Sequence, residues 1–365
     1  MAQVLLLTAG VLICLATADS VIRTLVVPRG ATSRIASGIS AAVFGAFRFV
    51  ARRTSTNEAR DRVLAPAAPL VIVVWLFSWL VLFMIGFTLI LMVTGQLMFG
   101  DAWHEAGSSL LTLGFAWSGR VQLSTVDFVA AATGPVIIGL LIGFLPALYT
   151  SYNRRERMVT VMHARASEPN WGPEVLARQA LLGSLDELPG FWHEWEHWAA
   201  DVSESHSSYP ILIGLRSTKA RRNWAVALLA AMDAAALQLA VAPQLPPGSA
   251  RMMLRQGMAC FADLAAQQGL RDTADPVLAE PSPDDVTLPR QDFFDAVERV
   301  SDAGFPCTRT GEDAWLVFRQ WRSFYERQAY YLCDHIDAVP APWSGSRTPA
   351  LPVERPTTMI HRTVD

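Results

Sequence analysis

Two short runs in this sequence carry residue types at spacings that could do chemistry. His193-Glu194-Trp195-Glu196-His197 fits H-E-x-x-H. Two histidines four apart on a helix can hold one zinc ion while the glutamate activates its water. At about 100° per residue, Trp192, Trp195, Ala199 and Val202 share one face, and His193, His197 and Glu204 the opposite one. A polar face opposite a Trp stripe is what any amphipathic helix shows, and no third-His extension follows. A solvated face is the expectation, with no residue assigned a catalytic or metal-ligating role. The second run is Thr112-Leu113-Gly114-Phe115-Ala116. Its resource is backbone: glycine permits left-handed conformations that turn consecutive carbonyls to one side, and threonine adds a hydroxyl oxygen.

The elements around these runs divide into an apolar half and a helical half. Three segments are apolar enough to enter a bilayer: 4–27, 70–93 and 128–149. The second reads LVIVVWLFSWLVLFMIGFTLILMV with no charge; at about 1.5 Å per residue it spans a ~30 Å hydrocarbon core. Tyr149 and Tyr152 fall where an aromatic belt belongs. The first could be a signal peptide, but no basic residue precedes its apolar core and no convincing A-x-A site follows, so a retained helix is expected. Residues 36–50 are too short to span comfortably and read as an amphipathic helix at the inner membrane surface or a plain linker helix.

Arginines orient the spans. Arg23, Arg29, Arg34, Arg48, Arg52, Arg53, Arg60 and Arg62 precede the second span, and Arg154, Arg155 and Arg157 follow the third. Between them stands only Arg120, against Asp101, Glu105 and Asp127. The positive-inside rule puts both Arg-rich flanks in the cytoplasm and loop 98–127 outside. Two crossings join those flanks, so the assignments agree. The expected location is the plasma membrane, multi-pass, with the C-terminal part cytoplasmic.

That loop exceeds what a helical hairpin needs. Residues 102–111 have helical character and lead into Thr112–Ala116. The arrangement resembles the pore of two-transmembrane pore-loop potassium channels: outer helix, pore helix, filter, inner helix. In that family the filter is usually T-V-G-Y-G. Thr112 matches the Thr, Leu113 the Val, Gly114 the first Gly and Phe115 the aromatic, over residues 67–152 at most. Ala116 replaces the second Gly, where a left-handed backbone would cost about 1 kcal/mol, and Trp117 follows where many members have Asp.

The resemblance implies stacked carbonyl rings that replace the water shell of a potassium ion, with the aromatic packed behind the filter. It implies a homotetramer, passive permeation, and no cofactor beyond the permeant ion. It also implies a gate hinge at Gly139, Gly143 and Pro146; the same residues equally suit close G-x-x-x-G packing. Two alternatives stand beside this reading: a membrane-anchored zinc metalloprotease on His193, Glu194 and His197, and a non-conducting pore-loop scaffold.

From Asn153 the periodicity is helical, with helices expected at 173–182, 191–202, 222–242, 249–268, 290–303 and 312–336. No period-two alternation or G-x-G-x-x-G appears, which argues against a Rossmann-type regulatory domain. Residues 222–242 could pass for a fourth span. Asp233 at their centre would cost about 2.5–3.5 kcal/mol in a bilayer, so a buried soluble helix is expected. No helix carries Arg at every third position, which excludes a voltage sensor of the usual kind. Net charge −3 gives no reason to propose nucleic acid, and the four cysteines form no C-x-x-C pair. The fold class is therefore all-α: an N-terminal spanning helix (1–27), a basic interfacial segment (28–66), a pore module (67–152), a cytosolic helical domain (153–337) and a tail (338–365) expected to be disordered.

Overall fold

An uncharged run of Leu, Val, Ile and Phe gives the backbone no reason to leave a helix before a glycine. In the computed structural model that run is one helix ending at Gly95. The structure describes residues 1–27, 33–270 and 281–358. Among the described residues every regular element is helical. The apolar half holds α1 (Ala2–Leu25), α2 (Arg34–Ala51), α3 (Asn57–Leu64), α4 (Ala67–Thr94), α5 (Phe99–Leu110) and the long α6 (Ser124–Ala166). The remainder holds α7 (Gly172–Leu181), α8 (Leu188–Ser208), α9 (Ile211–Gly214), α10 (Trp224–Val241), α11 (Gly248–Gln267), α12 (Arg290–Asp302), α13 (Gly311–Arg322) and α14 (Glu326–His335). Among the described residues, five stretches are long and apolar enough to cross a membrane: α1, α2, the α3–α4 run, α6 and α10.

The chain divides into two units: Met1–Phe49 with Pro66–Thr150, and Val50–Ala65 with the residues from Ser151 on. In the first, α1 lies along α4 at a glycine contact. A β-carbon on Gly10 would sit 2.8 Å from the Gly86 carbonyl oxygen, and one on Gly86 3.1 Å from that of Gly10. Small residues let backbones approach where lipid supplies no hydrophobic drive. Polar side chains add to the seam. Trp79 Nε1 donates to Ser20 Oγ at 3.0 Å, and Trp75 Nε1 to the Ala36 carbonyl at 3.0 Å.

In the second unit α10 is the central post. Every residue from Trp224 to Val241 except Leu239 is buried, with α7, α8, α11, α13 and α14 packed around it. The expectation of a buried helix here agrees with this surround. Asn223 starts the helix, its Oδ1 accepting from the amides of Ala225 and Val226 at 2.9 and 3.3 Å. Asp233, 1% exposed, is satisfied rather than stranded. It pairs with Arg322, 0% exposed, and accepts from the Tyr325 hydroxyl at 2.8 Å. Arg322 also pairs with Glu326 and donates to the Tyr330 hydroxyl and the Trp343 carbonyl. Burial pushes the Asp233 carboxyl up to about 6 against the pull of Arg322.

Two expectations are corrected here. The single helix 312–336 is two, α13 and α14, broken at Ser323–Tyr325; the break delivers the Tyr325 hydroxyl to Asp233 while Glu326 folds back onto Arg322. The tail from Ala338, expected to be disordered for its Pro and Ser content, is packed as far as it is described. Ala338, Ala341 and Trp343 join the core, Trp343 edge-on to Trp171 with centroids 6.0 Å apart. Arg347 is buried and donates to the carbonyls of Ala338 and Ser344 at 2.7 and 2.8 Å. Composition hid one Trp and one Arg, which supply the apolar area and the hydrogen bonds a Pro-rich segment otherwise lacks. Residues 359–365 lie outside the described residues.

Segment 50–65 belongs with this second unit. Thr56 caps α3, accepting from the Ala59 amide. Arg60 pairs with Asp337, Asp61 with Arg216, and Asn57 Nδ2 donates to Glu354 Oε1 at 2.8 Å.

Candidate functional site

The loop after α5 is built on that helix's own C-terminal turn. Gly107, Ser108 and Ser109 are small, and their carbonyls are left open where the helix ends. The following amides fill them. Leu111 N–H donates to Gly107 O and Thr112 N–H to Ser109 O, both at 3.0 Å; Leu113 and Gly114 N–H converge on Ser108 O at 2.8 and 3.3 Å. Two residues further, Ala116 N–H donates to Ser108 Oγ at 3.0 Å. Glu105, buried in α5, accepts at Oε1 from the Ser118 hydroxyl at 3.0 Å and its amide at 3.4 Å. Four of the five amides of residues 112–116 are thus tied to α5. Among the described residues, the carbonyl oxygens of residues 112–116 accept no hydrogen bond.

Left-handed backbone occurs at Thr112 (φ 55°) and Gly114 (φ 70°). This corrects the placement of strain at Ala116, whose φ is not positive. Gly114 takes its conformation freely; Thr112 bears the cost of roughly 1–2 kcal/mol. Leu113, Phe115 and Trp117 alternate along the segment and are 60%, 67% and 68% exposed. The expectation that the aromatic packs behind the segment is not met within one chain.

Neighbouring elements pin the loop at both ends. Arg120 donates to the Gly95 carbonyl where α4 ends, and Ser109 Oγ donates to Asp127 Oδ1 at 3.1 Å at the start of α6. Gly134 of α6 lies directly against the Leu110 carbonyl. Sequence reading missed Glu105, Ser108, Arg120 and Gly134. The available signal was spacing: Ser108 lies four residues before Thr112, where one helical turn returns a side chain to the helix end.

Gly139, Gly143 and Pro146 lie on an exposed face of α6, and a β-carbon on either glycine would meet nothing within 4 Å. Among the described residues the two glycines make no close packing contact. The helix runs unbroken through Pro146 and through Pro135. Thr150 Oγ1 donates to the Pro146 carbonyl at 2.7 Å.

Further along α6, beyond the apolar stretch, Arg155 is fully buried. It donates to the Leu212 and Leu215 carbonyls, both at 2.7 Å, and lies 3.1 Å from His206 Nε2. Burial, followed by the charge of Arg155, holds the His206 imidazole well below its usual range. Arg154 pairs with Asp201 at 2.8 Å.

The His193–His197 motif is also where the helical face placed it. Trp192, Trp195, Ala199 and Val202 are buried, and Glu194, His197 and Glu204 are on the exposed side with His193. His193 Nε2 and His197 Nε2 are 3.2 Å apart. Among the described residues no group of three His, Cys, Asp or Glu is placed to hold a metal ion. Set against known proteins, the chain matches no family model, no curated protein and no solved structure.

Proposed function

We propose that this chain is one pore-forming subunit of a potassium-type cation channel, resident in the plasma membrane with its helical domain in the cytoplasm. The observation that carries the reading is the polarity of segment 112–116: four of its five amides are tied to α5, and its carbonyl oxygens are uncommitted among the described residues. A dehydrating cation needs such oxygens, and one chain supplies one strand of them. Four copies around an axis would close the rings and cover Leu113, Phe115 and Trp117. Non-helical backbone at membrane depth is tolerated where it lines such a path. The C-terminal end of α5 would add the negative end of its dipole. The exposed α6 stripe containing Gly139, Gly143 and Pro146 would face the pore or a neighbouring subunit. Permeation is passive, without covalent chemistry, and the helical domain acts on the pore through the continuous helix α6.

Cation flux from proteoliposomes, wild type beside Gly114→Asp, tests this. Potassium flux that the substitution abolishes supports the reading. Equal flux, or none from folded protein at any potassium gradient, overturns it. The runner-up, a zinc hydrolase, rests on the 3.2 Å separation of the two imidazole nitrogens, a spacing two ligands of one zinc ion would show. Stoichiometric zinc with peptidase activity lost in Glu194→Gln would favour it.

A further inference from the structure

Helix α8 holds a pair of imidazoles that neither the pore segment nor the core uses. His193 and His197 stand on its solvent side, both exposed, opposite the buried Trp192, Trp195 and Val202. Residues four apart on a helix are neighbours across one turn, and here the approach is through particular atoms. The ring centroids are 4.3 Å apart with their planes at 82°, while the two Nε2 atoms are 3.2 Å apart. The nitrogens are nearer than the ring centres, so the rings lean together by their Nε2 corners.

That separation is a ligand spacing. Two nitrogens bound to one ion at about 2.05 Å each lie about 2.9 Å apart at a right angle and about 3.3 Å apart at the tetrahedral angle. The observed 3.2 Å falls between the two. Little side-chain freedom is left to lose when an ion enters. Without an ion, the Nε2 proton of one ring lies between the nitrogens. With an ion, that ring takes the tautomer protonated at Nδ1, and both Nε2 lone pairs face the metal. On His193 the Nδ1 side faces Glu196 Oε2 at 3.7 Å, whose charge favours a proton there, as carboxylates behind ligating imidazoles do. The surrounding field also suits a cation: residues 186–204 contain Asp186, Glu187, Glu194, Glu196, Asp201 and Glu204 and no Lys or Arg.

We propose that His193 and His197 together bind one divalent late transition-metal ion of the class imidazole suits, zinc, cobalt, nickel or copper. Magnesium and calcium, which take oxygen ligands, do not fit the pair. Two protein ligands leave the other positions to water, so the ion exchanges with solution, unlike one in a closed four-ligand structural site. The next turn of α8 carries Trp198, whose Nε1 donates to the Arg155 carbonyl at 3.2 Å, and Asp201, paired with Arg154 at 2.8 Å. An ion joining residues 193 and 197 therefore stiffens the turn directly before those two contacts with α6. Control of a pore by that route rests on the channel reading; the binding rests on neither that reading nor the hydrolase.

The test uses untagged full-length protein in detergent, stripped of metal with a chelator and dialysed. Zinc chloride is titrated by calorimetry, and cobalt chloride is followed by its visible absorption. Wild type is compared with His193→Gln, with His197→Gln, and with His104→Gln as an exposed control on another helix. Both α8 imidazoles are exposed, so the variants are expected to melt like wild type in the absence of metal. The expected result is one zinc ion per chain, weakened at least about tenfold by either α8 substitution and unchanged by the control. Cobalt absorption bands follow the same pattern. No zinc binding by wild type, or binding equal in all variants, overturns the proposal. Zinc held without peptidase activity keeps this site and removes the hydrolase. Because binding is read without flux, a failed Gly114→Asp experiment leaves this result standing, and the reverse.

Discussion

Gly134 of α6 and the carbonyl oxygen of Leu110 at the end of α5 leave no room for a side chain between them: a β-carbon on Gly134 would collide with that oxygen. The obstructing atom is backbone, so it cannot swing aside. Gly134→Ala is expected to lower stability by at least about 2 kcal/mol, in the range of overpacked cores, and to displace the turn that carries Thr112. Thermal melting in detergent checks it, with Gly143→Ala as the neutral comparison, since a β-carbon there meets nothing. Equal melting of the two variants would sink the idea.

Ser108 holds the loop twice, by its carbonyl and by its hydroxyl. Ser108→Ala keeps the first and removes the second, leaving the Ala116 amide unpaired. A loss of about 1–2 kcal/mol follows from one orphaned group. If the segment conducts, the potassium-to-sodium flux ratio changes while the melting curve keeps its shape. An unchanged ratio in a conducting protein would show that this hydroxyl does not set the segment's geometry.

Asp233 makes the helical unit respond to acid in an unusual direction. Its carboxyl sits at about 6 in the fold, raised chiefly by burial, against about 3.9 in an unfolded chain. Between about pH 4 and 6 the native state keeps a proton that the unfolded state has released. Its stabilising contribution is therefore fully present below about pH 4, falls as pH rises to 6, and is flat above. Two units correspond to roughly 3 kcal/mol. The melting temperature of wild type relative to Asp233→Asn is expected to drop across that window. A rise there would mean that Arg322, not burial, governs the group.

Trp343 tests whether the late segment is structural. Its ring meets Phe318 at 5.3 Å and Trp171 at 6.0 Å between centroids, and its carbonyl accepts from buried Arg322. Trp343→Ala is expected to cost about 3–5 kcal/mol and to cut the denaturant midpoint of the full chain sharply. A shift below about 1 kcal/mol would return the segment to the status its composition suggested.

How much of this was legible follows from the physics of each signal. Apolar runs such as 70–93 and the Trp192–Trp195–Ala199–Val202 stripe are local patterns, and each became a helix with the face the spacing gave it. Asp233 pointed to a buried α10 rather than a lipid-facing one, because an ion in lipid is costly whatever surrounds it. Its partners were not announced: Arg322 and Tyr325 lie 89 and 92 residues on, and no periodicity links them. The break at Ser323–Tyr325 was invisible for the same reason, since only a distant carboxylate makes it worthwhile. At the candidate site, Gly114 stood out by type. Ser108 and Gly134 did not, because what they do is fit against another strand of backbone.

The bonds between α3 and the late segment set an order of events as the chain is made. Asn57 and its partner Glu354 are 297 residues apart, and Arg60 waits 277 residues for Asp337. Contacts of such separation close last, after the loops between them have been organised. The segment before α4 therefore stays unclamped while α4, α5 and α6 find one another, and is fastened only once Asp337 and Glu354 have been made. A chain stalled within α13 would hold the apolar helices and lack both of these bonds.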